Sequence, residues 1–275
     1  MRSPETEIPS HDRDRWTGAD HYEGYMGRWS RQIAPSFLAW LDQGPGLRWL
    51  DVGCGTGALT GPILSLEDSS PSEVHGVDAS AAFIERARSS VCDPRAQFET
   101  AVVEALPFED GRFDVVVTGL LLNLVSEPVS AVRELIRVAR PRGVIAVYVW
   151  DWDEMQMLRY FWDALLAQAP AAGDLDEVRR FTICRPEPLR ALFREAGLAS
   201  VAAEPLDVQT RFRDFNDYWS PFLAGKGAGP SHLMSLPQAD RVAVENRVRS
   251  TLPRNPGGSI DLRARAWAVR GQVQA

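Results

Sequence analysis

The sequence predicts an α/β protein: an open, mostly parallel sheet wound with helices on both faces. Three observations predict it. Short apolar runs alternate with amphipathic helical segments between residues 48 and 150. The first run passes straight into Gly53-Cys54-Gly55-Thr56-Gly57, a glycine-rich turn of the strand-to-helix kind. Four chemically distinctive features then fall at strand ends: the glycine turn, Asp78, the residues after Val117, and Trp150-Asp151. In a sheet of this kind ligands lie beyond the carboxyl ends of the strands, so the four features are expected to converge on one crevice.

Each element has its own signal. Arg48–Val52 (RWLDV) reads as the first strand, and the segment from Ala58 to Leu64 as a helix despite its Gly-Pro pair. Glu73–Val77 is a second strand ending at Asp78, and Ser80 caps a helix over Ala81–Ser89. Ala96–Thr100 is a third strand, Leu106–Phe113 a loop with a turn, and Asp114–Val117 a buried fourth strand. Val132, Leu135, Ile136 and Ala139 share one face of a helix over Val129–Ala139. Pro141-Arg142-Gly143 ends it before a fifth strand, Val144–Trp150. Further along, Glu154–Gln168 reads as a helix covered on two sides, and Pro186–Ala196 as a helix closed by Gly197. Val201–Phe212 and the alternating stretch Gly258–Arg270 read as the last two strands. Near the N-terminus a helix is expected over Ile33–Leu41.

Composition narrows the function. The 275 residues carry 30 cations and 37 anions, a net charge of −7, and only one of the cations is a lysine, Lys226. Nothing concentrates positive charge against phosphates, so nucleic acid is not an expected partner. Cys54, Cys92 and Cys184 are odd in number and far apart, and the four histidines show no metal-ligand spacing. The first fifteen residues are too charged for a signal peptide, and no apolar run approaches the roughly 20 residues that span a bilayer. A soluble, cytoplasmic protein with no metal and no membrane partner is the expectation.

The glycine turn admits two readings. Gly53-x-Gly55-x-x-Ala58 satisfies a permissive dinucleotide fingerprint. A pyrophosphate at a helix N-terminus disfavours a carboxylate close by, yet Asp51 stands two residues before the first glycine and the third glycine is at 57. Asp-x-Gly-x-Gly-x-Gly suits a ligand that carries an ammonium group and no phosphate. With LDVGCGTG, the later segments GVDAS, EALPFEDGRFDVV and VRELIRVARPRG occur in order. Together they resemble the class I S-adenosylmethionine-dependent methyltransferases, closest to the type 11 group of quinone-biosynthesis and small-molecule enzymes, over about residues 46–150.

That resemblance implies a seven-stranded Rossmann-like sheet whose last strand runs antiparallel between the fifth and sixth. It implies S-adenosylmethionine as cofactor and S-adenosylhomocysteine as product. Gly53, Gly55 and Gly57 would let the backbone approach the methionine moiety, with Cys54 a small filler among them. Asp51 would hold the ammonium, Asp78 the ribose hydroxyls, and Ala79 would lie against the adenine. Val102 stands where the group commonly has an adenine-binding aspartate, leaving the Val103 amide and Glu104 for the base. Thr118, Gly119 and Leu120 would pass under the sulfonium. Arg28 or Arg31 would pair with the carboxylate, and Trp29 or Trp150 would face the sulfonium.

Methyl transfer from a sulfonium needs no acid, and a base only where the acceptor must lose a proton. No catalytic residue is therefore dictated; His21, Asp151 and Tyr148 are the candidates for a base. No Asn/Asp-Pro-Pro-Tyr/Phe run follows the fourth strand, which again disfavours nucleic acid. One domain over 1–275 is expected, with an N-terminal helical cap at 1–45 and a cofactor-binding core at 46–150. Lid insertions at 151–184 and 213–254 are expected around segments 185–212 and 255–275, which complete the sheet. Aromatic residues crowd the flanking segments (Trp16 to Trp29, Trp150 to Trp162, Phe212 to Phe222) and are expected mainly to pack the added helices, with some lining an apolar acceptor pocket. The rival readings are a nicotinamide-dependent oxidoreductase, and a non-catalytic module of the same fold that binds cofactor or a partner.

Overall fold

A computed structural model describes residues 28–275. Five strands follow the predicted alternation: β1 Arg48–Val52, β2 Glu73–Asp78, β3 Ala96–Thr100, β4 Phe113–Gly119 and β5 Ala139–Trp150. With β6 Ala199–Phe212 and β7 Ile260–Gln272 they form one seven-stranded sheet in the order β3-β2-β1-β4-β5-β7-β6. Strands β1 to β5 pair in parallel, whereas β7 runs antiparallel to both of its neighbours, β5 and β6. The order turns at β1, which has β2 on one side and β4 on the other, so a crevice opens beyond the ends of β1 and β4.

Alternation along the buried strands divides the apolar residues between two faces. Trp49, Val115 and Val117 face one core, shared with helix α1 (Arg28–Leu41) and α2 (Thr60–Leu64). Leu50, Val116 and Ile145 face the other. Past α3 (Ala81–Ser90), that second core is closed by α4 (Pro128–Val138), through Ala131, Val132, Leu135 and Val138. Ser80 caps α3, its hydroxyl accepting from the Phe83 amide at 3.4 Å.

The additions after β5 are helical. They comprise α5 Gln156–Gln168, a short α6 Glu177–Arg180, α7 Pro186–Glu195, α8 Phe215–Leu223, α9 Ala228–Ser235 and α10 Gln238–Thr251. Helix α5 buries Met157, Leu158, Phe161, Trp162 and Leu165, so it is covered on two sides as its sequence demands. Several boundaries differ from expectation. Helix α1 begins five residues earlier, at Arg28, with Pro35 inside it. Strand β5 begins at Ala139, directly after α4, because Ala139 pairs with Phe113 before a register shift restores the ladder at Val144. Arg142 takes a left-handed φ of +63° in that irregular stretch. No helix among the described residues is long and apolar enough to cross a membrane.

Candidate active site

The chain leaves β1 after Val52 and turns through Gly53, Gly55 and Gly57 at φ +72°, +54° and +89°. The amides of Gly53 and Cys54 both donate to the Val77 carbonyl, at 2.7 and 3.0 Å, which pins the loop to β2. Gly53 cannot take a side chain: its Cβ would stand 2.9 Å from Leu121 Cδ2. Gly57 is small for a different reason than expected, because its Cβ would meet Val91 at 2.8 Å rather than a ligand. Cys54 is a buried filler whose thiol is pushed well up by burial, which removes it as a nucleophile.

Two carboxyl groups flank this loop. Asp78 closes β2; its Oδ2 accepts from the Gly55 amide at 3.0 Å and its Oδ1 from the Ser80 amide at 2.8 Å. Each oxygen keeps a second lone pair. Asp51, in β1, is 1% exposed and accepts at Oδ2 from the Thr60 hydroxyl at 2.6 Å, while its Oδ1 is buried with no partner among the described residues. Burial is the main cause that raises the Asp51 carboxyl to about 7, with the Thr60 bond opposing and the Asp78 charge adding to it. Asp78 is raised by burial as well, against the pull of the two amides.

The crevice holds about 710 Å³, including the space at its mouth. Its wall comprises Asp51, Gly53, Cys54, Gly55, Asp78 and Leu120 of the thirteen residues expected to bind the cofactor. Ser30, Leu59, Phe83, Leu121, Leu124 and Tyr148 belong to it too, and no motif pointed to them for that role. Their signal is topological: α1, α3 and the turn after β4 must abut strand ends, but the register that aims each side chain emerges only in three dimensions.

The other seven stand elsewhere. Arg28 donates to Asp217 Oδ1 at 3.2 Å and lies over the rings of Trp29 and Phe212, so the nearest carboxylate, on α8, takes its charge. Trp29 is buried edge-on against Phe212. Thr118 is buried within β4. Gly57 faces Val91. Ala79, Val103 and Glu104 lie past the ends of β2 and β3, outside the lining, with Ala79 and Glu104 exposed. Val102, where a carboxylate was missed, is 47% exposed.

Of the candidate bases, Tyr148 lines the crevice. Asp151 does not: its Oδ2 accepts from Trp267 Nε1 at 2.8 Å and its Oδ1 from the Asp153 amide at 3.2 Å, a turn-fixing role. His21, and the aromatics from Trp16 to Tyr25, lie outside the described residues. The aromatic segments of the expected lid insertions are core. Phe161 stacks on Phe222 at 4.3 Å, and Trp219 packs against both Phe215 and Phe222. None of these rings lines the crevice.

Comparison with known proteins agrees with this geometry. A family model described as a methyltransferase domain matches residues 50–147. The demethylmenaquinone methyltransferase of Roseiflexus castenholzii is 30% identical over 166 residues, 56% of this chain and 68% of that protein. The malonyl-[acyl-carrier protein] O-methyltransferase of Enterobacter lignolyticus is 29% identical over 234 residues, 84% of this chain and 83% of that one. Other relatives match over less: an uncharacterised Streptomyces fradiae protein is 35% identical, but the chain spans only 36% of its length. Among solved structures, a candidate methyltransferase from Bacillus halodurans shares the fold, with a TM-score of 0.58 and 14% identity, over 89% of this chain and all of that one.

Proposed function

The chain belongs to the methyltransferase-domain family, and from that membership we propose that it moves a methyl group from S-adenosylmethionine to an oxygen, nitrogen or carbon atom of a small, partly apolar acceptor. One observation carries the reading. The unpartnered Asp51 Oδ1 and the amide-anchored Asp78 stand on adjacent strands at either side of an open glycine turn. A ligand with a cation at one end and a vicinal diol further along satisfies both groups. A pyrophosphate satisfies neither, since two carboxyl groups repel it.

In this reading Asp51 neutralises the ammonium and Asp78 accepts from the ribose hydroxyls. The bare Gly55 backbone, with open space where a Cβ would stand, permits close approach. Ala79, the Val103 amide and Glu104 flank the nucleobase beyond β2 and β3, with Thr118 fixing the strand end beneath. Bound there, S-adenosylmethionine supplies a methyl carbon on a sulfonium whose departure leaves a neutral thioether. Leu120, Leu121, Leu124 and Tyr148 then exclude water and fix the approach, and positioning of this kind supplies up to roughly 7–11 kcal/mol in intramolecular models. Where the acceptor carries a proton, we assign its removal to Tyr148 at the crevice wall, which takes it up from its phenolate form.

The acceptors in the relatives' names are demethylmenaquinone and malonyl-[acyl-carrier protein]. Phenols and quinols are therefore the first acceptors to offer this chain, then carboxylates. The second reading, a binding module without catalysis, is kept because one fold hosts many functions. Purified protein incubated with methyl-labelled S-adenosylmethionine and these acceptors should yield one labelled product by mass spectrometry. Binding of the donor with no product from any acceptor would favour the module instead.

A further inference from the structure

A second cavity, about 730 Å³ with its mouth, lies beside the crevice, and one turn of chain separates the two. After β4, Leu122–Leu124 form a tight 3₁₀ turn, closed by the Leu124 amide donating to the Leu121 carbonyl at 2.8 Å. Leu121 and Leu124 line the crevice, whereas Leu122, Asn123 and Val125 line the second cavity. Its other wall is the stretch 180–183, which leaves the end of α6. The lining is apolar through Leu122, Val125, Phe181 and Ile183, with Asn123 and Thr182 as neutral polar groups. Arg180 is the one charged side chain on this wall among the described residues.

That arginine stands on a fixed support. Arg159 donates to both oxygens of Asp176, at 2.8 and 2.7 Å, and Asp176 caps α6 by accepting from the Val178 amide at 3.1 Å. Trp162 Nε1 donates to Glu177, so both carboxyl groups at the start of α6 are tied to α5. Past the helix, Trp152 packs on Phe181 with ring centroids 5.7 Å apart, and the Cys184 amide donates to the Phe181 carbonyl at 3.0 Å. The Arg180 guanidinium lies over the Phe181 ring, 5.0 Å from its centroid. A guanidinium is planar, forked and always charged, the geometry that recognises a carboxylate or a phosphate. We propose that this cavity is an anchor for the acceptor, which has an apolar body and an anionic group, carboxylate or phosphate. The anion pairs with Arg180, and the end to be methylated reaches past the Leu122–Leu124 turn into the crevice. The proposal rests on the methyltransferase reading and narrows its acceptor to an anionic one.

Calorimetric titration of the protein, saturated with S-adenosylhomocysteine, with 2-naphthoate, 2-naphthyl phosphate and neutral 2-naphthamide reads the preference on one apolar body. At least one anion should bind about tenfold tighter than the amide, and the tighter of the two identifies the group. Arg180→Gln should erase that preference with the melting temperature and the affinity for S-adenosylhomocysteine unchanged, and Arg180→Lys should keep part of it. Ile183→Trp, which fills the cavity from the opposite wall, should weaken all three probes. Equal affinity for the three probes, no binding of any, a preference that survives Arg180→Gln, or unchanged binding by Ile183→Trp overturns the proposal. So does a preference lost only together with a lowered melting temperature, which marks an arginine that merely supports the fold. These outcomes leave the methyltransferase reading standing, whereas failure of the wild-type protein to bind S-adenosylhomocysteine overturns both.

Discussion

A carboxyl group that is 1% exposed, with one hydroxyl for company, resists ionisation, and Asp51 accordingly titrates near 7. Folding therefore takes up a proton at this position between the ordinary value of 3.8 and about 7. Across that window stability falls as pH rises, by at most about 1.4 kcal/mol per unit from this one group. Asp51→Asn keeps an acceptor for Thr60 and removes the charge. Thermal melts of the ligand-free variant should lose part of the decline seen in the wild-type protein between pH 5 and 8; parallel curves would place the raised carboxyl elsewhere. Asp51 and Asp78 were legible in the sequence as strand-end carboxyl groups beside the glycine turn, and the roles proposed for them come from the family resemblance. The Leu120 backbone, left-handed at φ +60°, was not, since leucine itself carries no signal for that conformation. Arg28 misled for a related reason: its partner, Asp217, lies 189 residues away.

Elements follow the same division between local and remote causes. β1 and β3 have their predicted bounds, because burial and turn residues around them are local signals. The start of β5 was missed because Ala139 pairs with Phe113, a partner no local pattern reveals. The loop between β3 and β4 is held on α4 by Arg137 and Glu134. Arg137 grips Glu134 with two nitrogens at 2.8 and 2.7 Å, reaches Asp110 at 2.8 Å, and donates to the carbonyls of Phe108 and Leu106 at 2.7 and 2.9 Å. Glu134 Oε1 accepts from the Leu106 amide at 2.8 Å. Removing the fork strands two carbonyls and a carboxylate in a half-buried setting, so Arg137→Ala should cost about 1–3 kcal/mol in urea unfolding. A change below about 0.5 kcal/mol would mean that water replaces the guanidinium fully.

At the scale of the molecule, the sheet and the crevice at its turning point were legible from alternation and strand-end chemistry. The segments expected as lids were legible only as helical insertions. Their aromatic residues join the core on the Trp49 face of the sheet, and which side chains reach the crevice depends on packing between segments far apart in sequence. The central claim is that this crevice seats a cationic amino-acid nucleoside between Asp51 and Asp78. Calorimetric titration with S-adenosylhomocysteine at pH 7.5 and pH 6, on the wild-type protein and on Asp51→Asn, tests it most directly. The predicted result is one site, weakening several-fold at pH 6 as Asp51 gains its proton. Asp51→Asn should bind at least about tenfold more weakly and lose most of the pH response. Equal binding by both proteins at both pH values, or heat from NADH and none from S-adenosylhomocysteine, would contradict the account.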